Sequence, residues 1–149
     1  LTIANYQGDI LITLTFKKLL SCAVGITALL SSSVVFAQNT GLTRTVIVKA
    51  DVSVPGREAI IARVDVAPGG VAGWHTHPGD EISYVEEGET ELLVAGQTPR
   101  RIKAGEGFVI PAGVVHSAKN PGTVTAKLVG VYVLEKGQPL ATPAPAPVP

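Results

Sequence analysis

Residues 69–81 read Gly-Gly-Val-Ala-Gly-Trp-His-Thr-His-Pro-Gly-Asp-Glu. His75 and His77 stand two apart, and His116 completes the chain's 3 histidines. On a helix, residues two apart point to nearly opposite sides. On a strand they share a face, with Cα atoms about 6.6–6.8 Å apart, so two imidazoles can converge on one ion. Pro78-Gly79-Asp80 reads as a turn. Glu81 then opens the next strand and folds back over the same point. Pro111-Ala112-Gly113 is a second turn signal, shortly before His116. The inferred set is three imidazoles and one carboxylate, His75, His77, Glu81 and His116. A single histidine on a strand is ordinarily a core or surface residue. Three histidines and a glutamate in one such pattern are better explained by a metal.

Glycines frame this pattern. The first run is Gly69, His75, His77, Glu81, Gly88, and the second is Gly105, Pro111, Gly113, His116, Asn120. In these positions the chain resembles the cupins, which carry both runs at these spacings, and none of the ten positions departs. The resemblance covers residues of about 44 to 135. It implies an all-β fold, a double-stranded β-helix or small jelly-roll barrel, with the matching histidines and glutamate as ligands of one metal inside.

The remaining sequence suits such a fold. Val, Ile and Leu carry most of the 46% apolar content, which favours strands over helices. Short β-branched runs alternate with turn signals at eight- to twelve-residue intervals, as in a sandwich or barrel. Strands are expected at 45–50, 58–66, 73–77, 81–85, 90–94, 100–103, 107–110, 114–118 and 124–134. Pro68-Gly69-Gly70 breaks one run, and Glu86-Glu87-Gly88-Glu89 reads as a hairpin turn. No helix of confident length is visible. With 149 residues and a formal net charge of zero, one domain is expected and nucleic-acid binding finds no support.

Residues 17–37 begin Lys-Lys-Leu-Leu and end Val-Phe-Ala, two positive charges ahead of an apolar run with small residues before the cut. This is the pattern of a secretory signal peptide removed after Ala37, and it points to a periplasmic or secreted protein without a stable membrane anchor. Residues 1–16 precede an ordinary n-region, consistent with a displaced start or a fragment boundary. Cys22, the only cysteine, falls within the removed segment. The expected organisation is therefore 1–37 leader region, 38–137 barrel domain, and 138–149 a Pro- and Ala-rich tail that stays extended and mobile.

Four protein ligands would fill a tetrahedral zinc shell, whereas a six-coordinate ion keeps two positions open. Mn, Fe or Ni would thus be the working metal, with zinc the silent alternative, although zinc binds such donors more tightly. Outside the ligands no histidine or cysteine is left for acid–base work. That role falls to a carboxylate, with Glu81 the candidate, to Tyr84 or Tyr132, or to metal-bound hydroxide. Resemblance to quercetin-dioxygenase-like and germin-like cupins implies an oxidoreductase acting on a small organic molecule. A non-catalytic ligand-binding barrel and a non-oxidative isomerase or lyase share the same motifs. Ser83, Val85 and residues 108–110 are expected to line the pocket, with no arginine inside. Small cupins are usually dimers, so a homodimer is expected. Trp74 should face away from the metal, and the acidic residues 86, 87, 89 and 91 should be a solvated tip opposite Arg100, Arg101 and Lys103.

Overall fold

The computed structural model describes residues 40–148. The leader-peptide reading, Cys22 and the cut after Ala37 fall outside the described residues. Nine strands follow in order: β1 Thr40–Asp51, β2 Arg57–Thr76, β3 Gly79–Glu87, β4 Glu89–Val94, β5 Arg100–Lys103, β6 Gly107–Ile110, β7 His116–Lys119, β8 Ala126–Glu135 and β9 Thr142–Pro143. There is no helix among the described residues.

All pairings are antiparallel, in the order β5-β4-β7-β2-β8-β3-β6, with β1 and β9 added to β2. Strand β2 belongs to both walls. Residues 57–66 pair with β8, and residues 71–75 pair with β7. The sheet thereby rolls into a double-stranded β-helix. Its inside is set by period-two patterning. Alternate residues of β3, Gly79, Glu81, Ser83 and Val85, are buried while those between them are exposed. One core cluster centres on Val64, Val66, Val85, Leu92, Phe108 and Leu128. A second gathers Ile60, Ala62, Tyr132 and Leu134.

Three local expectations change. Pro68-Gly69-Gly70 bends β2 without ending it. Gly69 adopts φ +70°, and its N–H donates to the Asn120 carbonyl at 3.0 Å while the Asn120 N–H donates to Gly70 at 2.9 Å. The bend is thus closed by hydrogen bonds across to the β7–β8 turn. Gly88 does not make a hairpin, because β3 pairs with β6 and β8 whereas β4 pairs with β5 and β7. It carries the chain from one wall to the other at φ +75°, where an added Cβ would sit 3.1 Å from the Ala126 backbone. Lastly, Gly79 and Asp80 already pair with Leu134 and Val133, so the corner before Glu81 is confined to His77-Pro78.

The tail also differs from the expectation of a free segment. Thr142 and Pro143 pair with Thr76 and His75, the Ala144 N–H donates to the Trp74 carbonyl at 2.9 Å, and Leu140 packs against the second cluster. Composition alone hid this. Alternating Ala and Pro lack periodicity, yet an extended segment can still add to an exposed strand edge.

Candidate metal centre

Strands β2, β3 and β7 bring the four residues together. His75 lies directly opposite His116 in the β2–β7 register. His77 follows at the corner, and Glu81 points inward from the third position of β3. One nitrogen or oxygen from each of His75, His77, Glu81 and His116 falls within 4.8 Å of all the others. His77, Glu81 and His116 are buried, and His75 is partly buried. The strand-sharing argument from the sequence thus holds for convergence, although His77 sits one residue past the end of β2.

The hydrogen bonds fix which ring nitrogens face inward. Nδ1 of His75 donates to the Gly73 carbonyl at 2.6 Å, Nδ1 of His77 to Leu140 at 2.6 Å, and Nδ1 of His116 to Val114 at 2.9 Å. A carbonyl only accepts, so each Nδ1 carries the hydrogen. Each neutral ring then has its lone pair on Nε2. Nε2 of His77 and of His116 face Glu81 Oε2 at 2.9 and 3.1 Å, while Ser83 Oγ donates to Glu81 Oε1 at 2.6 Å. Lone pairs aimed at a carboxylate oxygen repel it unless a cation lies among them. That cation is a proton on each Nε2 or a metal shared by all. Nitrogen and carboxylate donors fixed by outer hydrogen bonds are the donor set a divalent metal takes.

The electrostatics agree. Burial and the neighbouring His116 push the His75 pKa down to about 4, so this ring is neutral near pH 7. Burial on its own would raise the Glu81 pKa. In the metal-free protein, hydrogen bonds from His116 and His77, which need a proton on each Nε2, and from Ser83 outweigh it and hold the carboxyl well below the usual range.

The corner is tied down from outside. The Gly113 N–H donates to the His77 carbonyl at 2.9 Å, and the Ala112 N–H donates to Asp80 Oδ1 at 3.1 Å. The Pro111–Gly113 turn is thereby clamped to the His77–Asp80 corner. Asn120 has a different role from its neighbours in the motif. It is 1% exposed, and its side-chain amide donates to the carbonyls of Val66 at 2.8 Å and Val124 at 2.7 Å. It is a fastener between the two walls.

A cavity of about 30 Å³ adjoins His75, Glu81 and His116, walled by Leu92, Phe108, Leu128 and Tyr132. That is space for about two waters. Ser83 and Phe108 line it as expected, whereas Val109 points outward at 60% exposure. Of the two candidate tyrosines, Tyr84 lies on the outer surface and Tyr132 lines the cavity. Burial, then Glu81, raises the Tyr132 pKa, so it stays a neutral O–H donor. An added Cβ at Gly130 would come within 3 Å of the Tyr132 ring, so the glycine leaves the ring its place. Three of the four acidic residues of the rim are individually paired: Glu87 with Lys127 at 2.8 Å, Glu89 with Arg101 at 3.2 Å and Glu91 with Lys119 at 2.5 Å.

Two contributors escaped the sequence reading. Leu140 orients His77 through a main-chain carbonyl, which leaves no mark in residue identity. Arg44 of β1 reaches into the cavity, contrary to the expectation of no arginine inside. It pairs in register with Val64, whose side chain is buried, so both face inward. Strand parity along residues 42–46 was the signal that pointed there.

A cupin domain family model matches residues 62–142. Germin-like protein subfamily 2 member 2 of Arabidopsis thaliana is 40% identical over 87 residues, covering 53% of this chain and 40% of that protein. Among solved structures, an oxalate oxidase in complex with the substrate analogue glycolate aligns with TM-score 0.55 and 31% identity, covering 68% of this chain and 54% of that one. A cupin-like protein from Thermotoga maritima aligns with TM-score 0.58 and 25% identity over 74% of this chain and 80% of that one. The chain thus spans 40% of the germin-like relative and about half of the oxalate oxidase chain.

Proposed function

The chain belongs to the cupin family, and on that premise we propose that His75, His77, Glu81 and His116 hold one divalent metal ion in an exported oxidoreductase acting on a small organic molecule. The observation that carries this reading is the inward turn of Nε2 lone pairs onto Glu81 Oε2. Four protein ligands would fill a tetrahedral zinc shell, whereas a six-coordinate ion would keep two positions open, and this favours Mn, Fe or Ni over zinc. Such an ion would supply redox chemistry when bound.

The chain's own residues do the rest. Glu81 sets the charge of the centre and is held in orientation by Ser83. Tyr132 presents a neutral O–H to the cavity. Leu92, Phe108 and Leu128 keep bulk water out, which strengthens each polar contact inside. The largely apolar lining with a few convergent polar groups suits a small organic molecule. Likeness to an oxalate oxidase is in keeping with oxidase-type chemistry on such a molecule. Export is supported by the leader pattern of residues 17–37.

The test is reconstitution of metal-free protein with Mn, Fe, Ni or Zn, followed by oxygen consumption with a panel of two- and three-carbon acids and alcohols. Turnover with Mn, Fe or Ni and none with Zn is expected. Metal uptake and ligand binding without turnover under any metal would instead establish a binding barrel.

A further inference from the structure

The centre is covered on its His77 side by residues 138–144. The His77 side chain is 0% exposed, and Tyr132 and Leu134 beside it are 1% and 0% exposed. Leu140 lies over them. Its side chain packs against Ile60, Ala62, Tyr132 and Leu134, while its carbonyl accepts the His77 Nδ1 hydrogen at 2.6 Å. A close-packed interior passes an ion or a small molecule only when part of its wall opens.

Three observations mark residues 138–144 as that part. The chain is fixed up to Lys136, whose N–H donates to the Gly56 carbonyl at 2.9 Å and whose Nζ pairs with Asp51 at 2.6 Å. Gly137 then turns at φ +81°, in open space where an added Cβ would meet nothing within 4 Å. Beyond this hinge the strap is joined to the barrel by the Leu140–His77 bond, the pairs Thr142–Thr76 and Pro143–His75, and the Ala144–Trp74 bond. Pro139, Pro143 and Pro145 bring no N–H to strengthen it. The opposite wall is much firmer, with β8 matched to β2 along residues 57–66. Lastly, Leu140 is only half-buried, so opening costs less than releasing a core side chain.

We propose that residues 138–144 are a gate, hinged at Gly137 and latched at Thr142–Ala144, through which the metal ion and small ligands reach the His75/His77/Glu81/His116 centre. The inference rests on the metal reading above and adds to it the route of entry and the element that controls it. Opening takes the Leu140 carbonyl off His77 and bares Ile60, Ala62, Tyr132 and Leu134. Re-burial of that apolar floor and the unmet Nδ1–H both draw the strap back, so the closed form is the resting one. A strap that only orients His77 alters release of the metal. A gate alters passage in both directions, so uptake and release change together while affinity stays the same.

The experiment locks the latch. Thr76 and Thr142 are register partners, and such partners have Cα atoms about 4.5–5.5 Å apart, within disulfide reach. The full chain carrying Thr76→Cys and Thr142→Cys, with Cys22→Ser to leave only the new pair, is prepared metal-free. Cobalt(II) uptake and its release to EDTA are followed by absorbance, before and after reduction, and a thiol count verifies the cross-link. The oxidised protein should take up and release cobalt at least about tenfold more slowly than the reduced protein, with equal affinity. Leu140→Ala loosens the closed form but keeps the main-chain carbonyl, and should speed both steps at least about threefold. It carries the test if the cross-link does not form. Rates unchanged by the lock or by Leu140→Ala, or a change in release alone, would overturn the gate and leave the metal reading standing. A wild type that takes up no cobalt would overturn the metal reading and the gate with it.

Discussion

The His77 imidazole donates from Nδ1 to the Leu140 carbonyl across 2.6 Å, joining the centre of the barrel to a segment 63 residues further along the chain. The bond sets the ring's tautomer and so directs Nε2 inward. Outer partners of this kind are typically worth about 10- to 100-fold in metal affinity. A chain ending at Gln138 should therefore fold but bind its metal at least about tenfold more weakly. Competition with a chelator of known affinity measures this. Unchanged affinity would mean that the strap has no part in holding His77.

Acidification should weaken the metal-free protein in two windows. His75 has a folded pKa of about 4 against an ordinary 6.5. The unfolded chain therefore takes up the proton first, and stability falls as pH drops from about 6.5 towards 4, by at most about 3 kcal/mol. Glu81 has a depressed pKa. Its stabilisation is present above the ordinary carboxylate range of about 4.3 and is lost as pH falls below it. Urea midpoints of metal-free protein between pH 8 and pH 3 give the profile. His75→Gln should flatten the upper window only.

Asn120→Ala should separate scaffold from site. It would leave two carbonyls, those of Val66 and Val124, without their donor. Each orphaned buried carbonyl costs about 1–3 kcal/mol. The unfolding temperature should drop by roughly 10 °C or more while the folded fraction still binds metal. A variant of wild-type stability would show that the backbone bonds at Gly69 and Gly70 suffice.

The outer face of β3 and β6 exposes Ile82 at 47%, Tyr84 at 50% and Val109 at 60%. Strand β6 ends the sheet order, so its outer edge is unpaired among the described residues. An apolar face beside an open edge supports the homodimer reading. Light scattering at micromolar concentration should give a dimer mass for wild type and a monomer mass for Val109→Glu. A monomeric wild type would contradict the assignment.

How much of this was legible beforehand follows the reach of each signal. Strand alternation and two turns carried His75, His77, Glu81 and His116 to one point, because those rules are local. The same rules misread Gly88 as a hairpin. A glycine with positive φ turns the chain in either case, and only the pairing of β3 and β4 with other strands decides which. Leu140 was invisible for a related reason. It acts through a main-chain carbonyl brought in from afar, which no residue type announces. The parity of residues 42–46, by contrast, already turned Arg44 inward.

The central claim is that four side chains share one ion. Elemental analysis and chelator competition on wild type and His116→Ala test it most directly. Wild type should carry about one divalent ion per chain, and His116→Ala should bind it at least about 100-fold more weakly, a larger loss than an outer partner causes. Full occupancy and unchanged affinity in His116→Ala would contradict the coordination, whatever the fold.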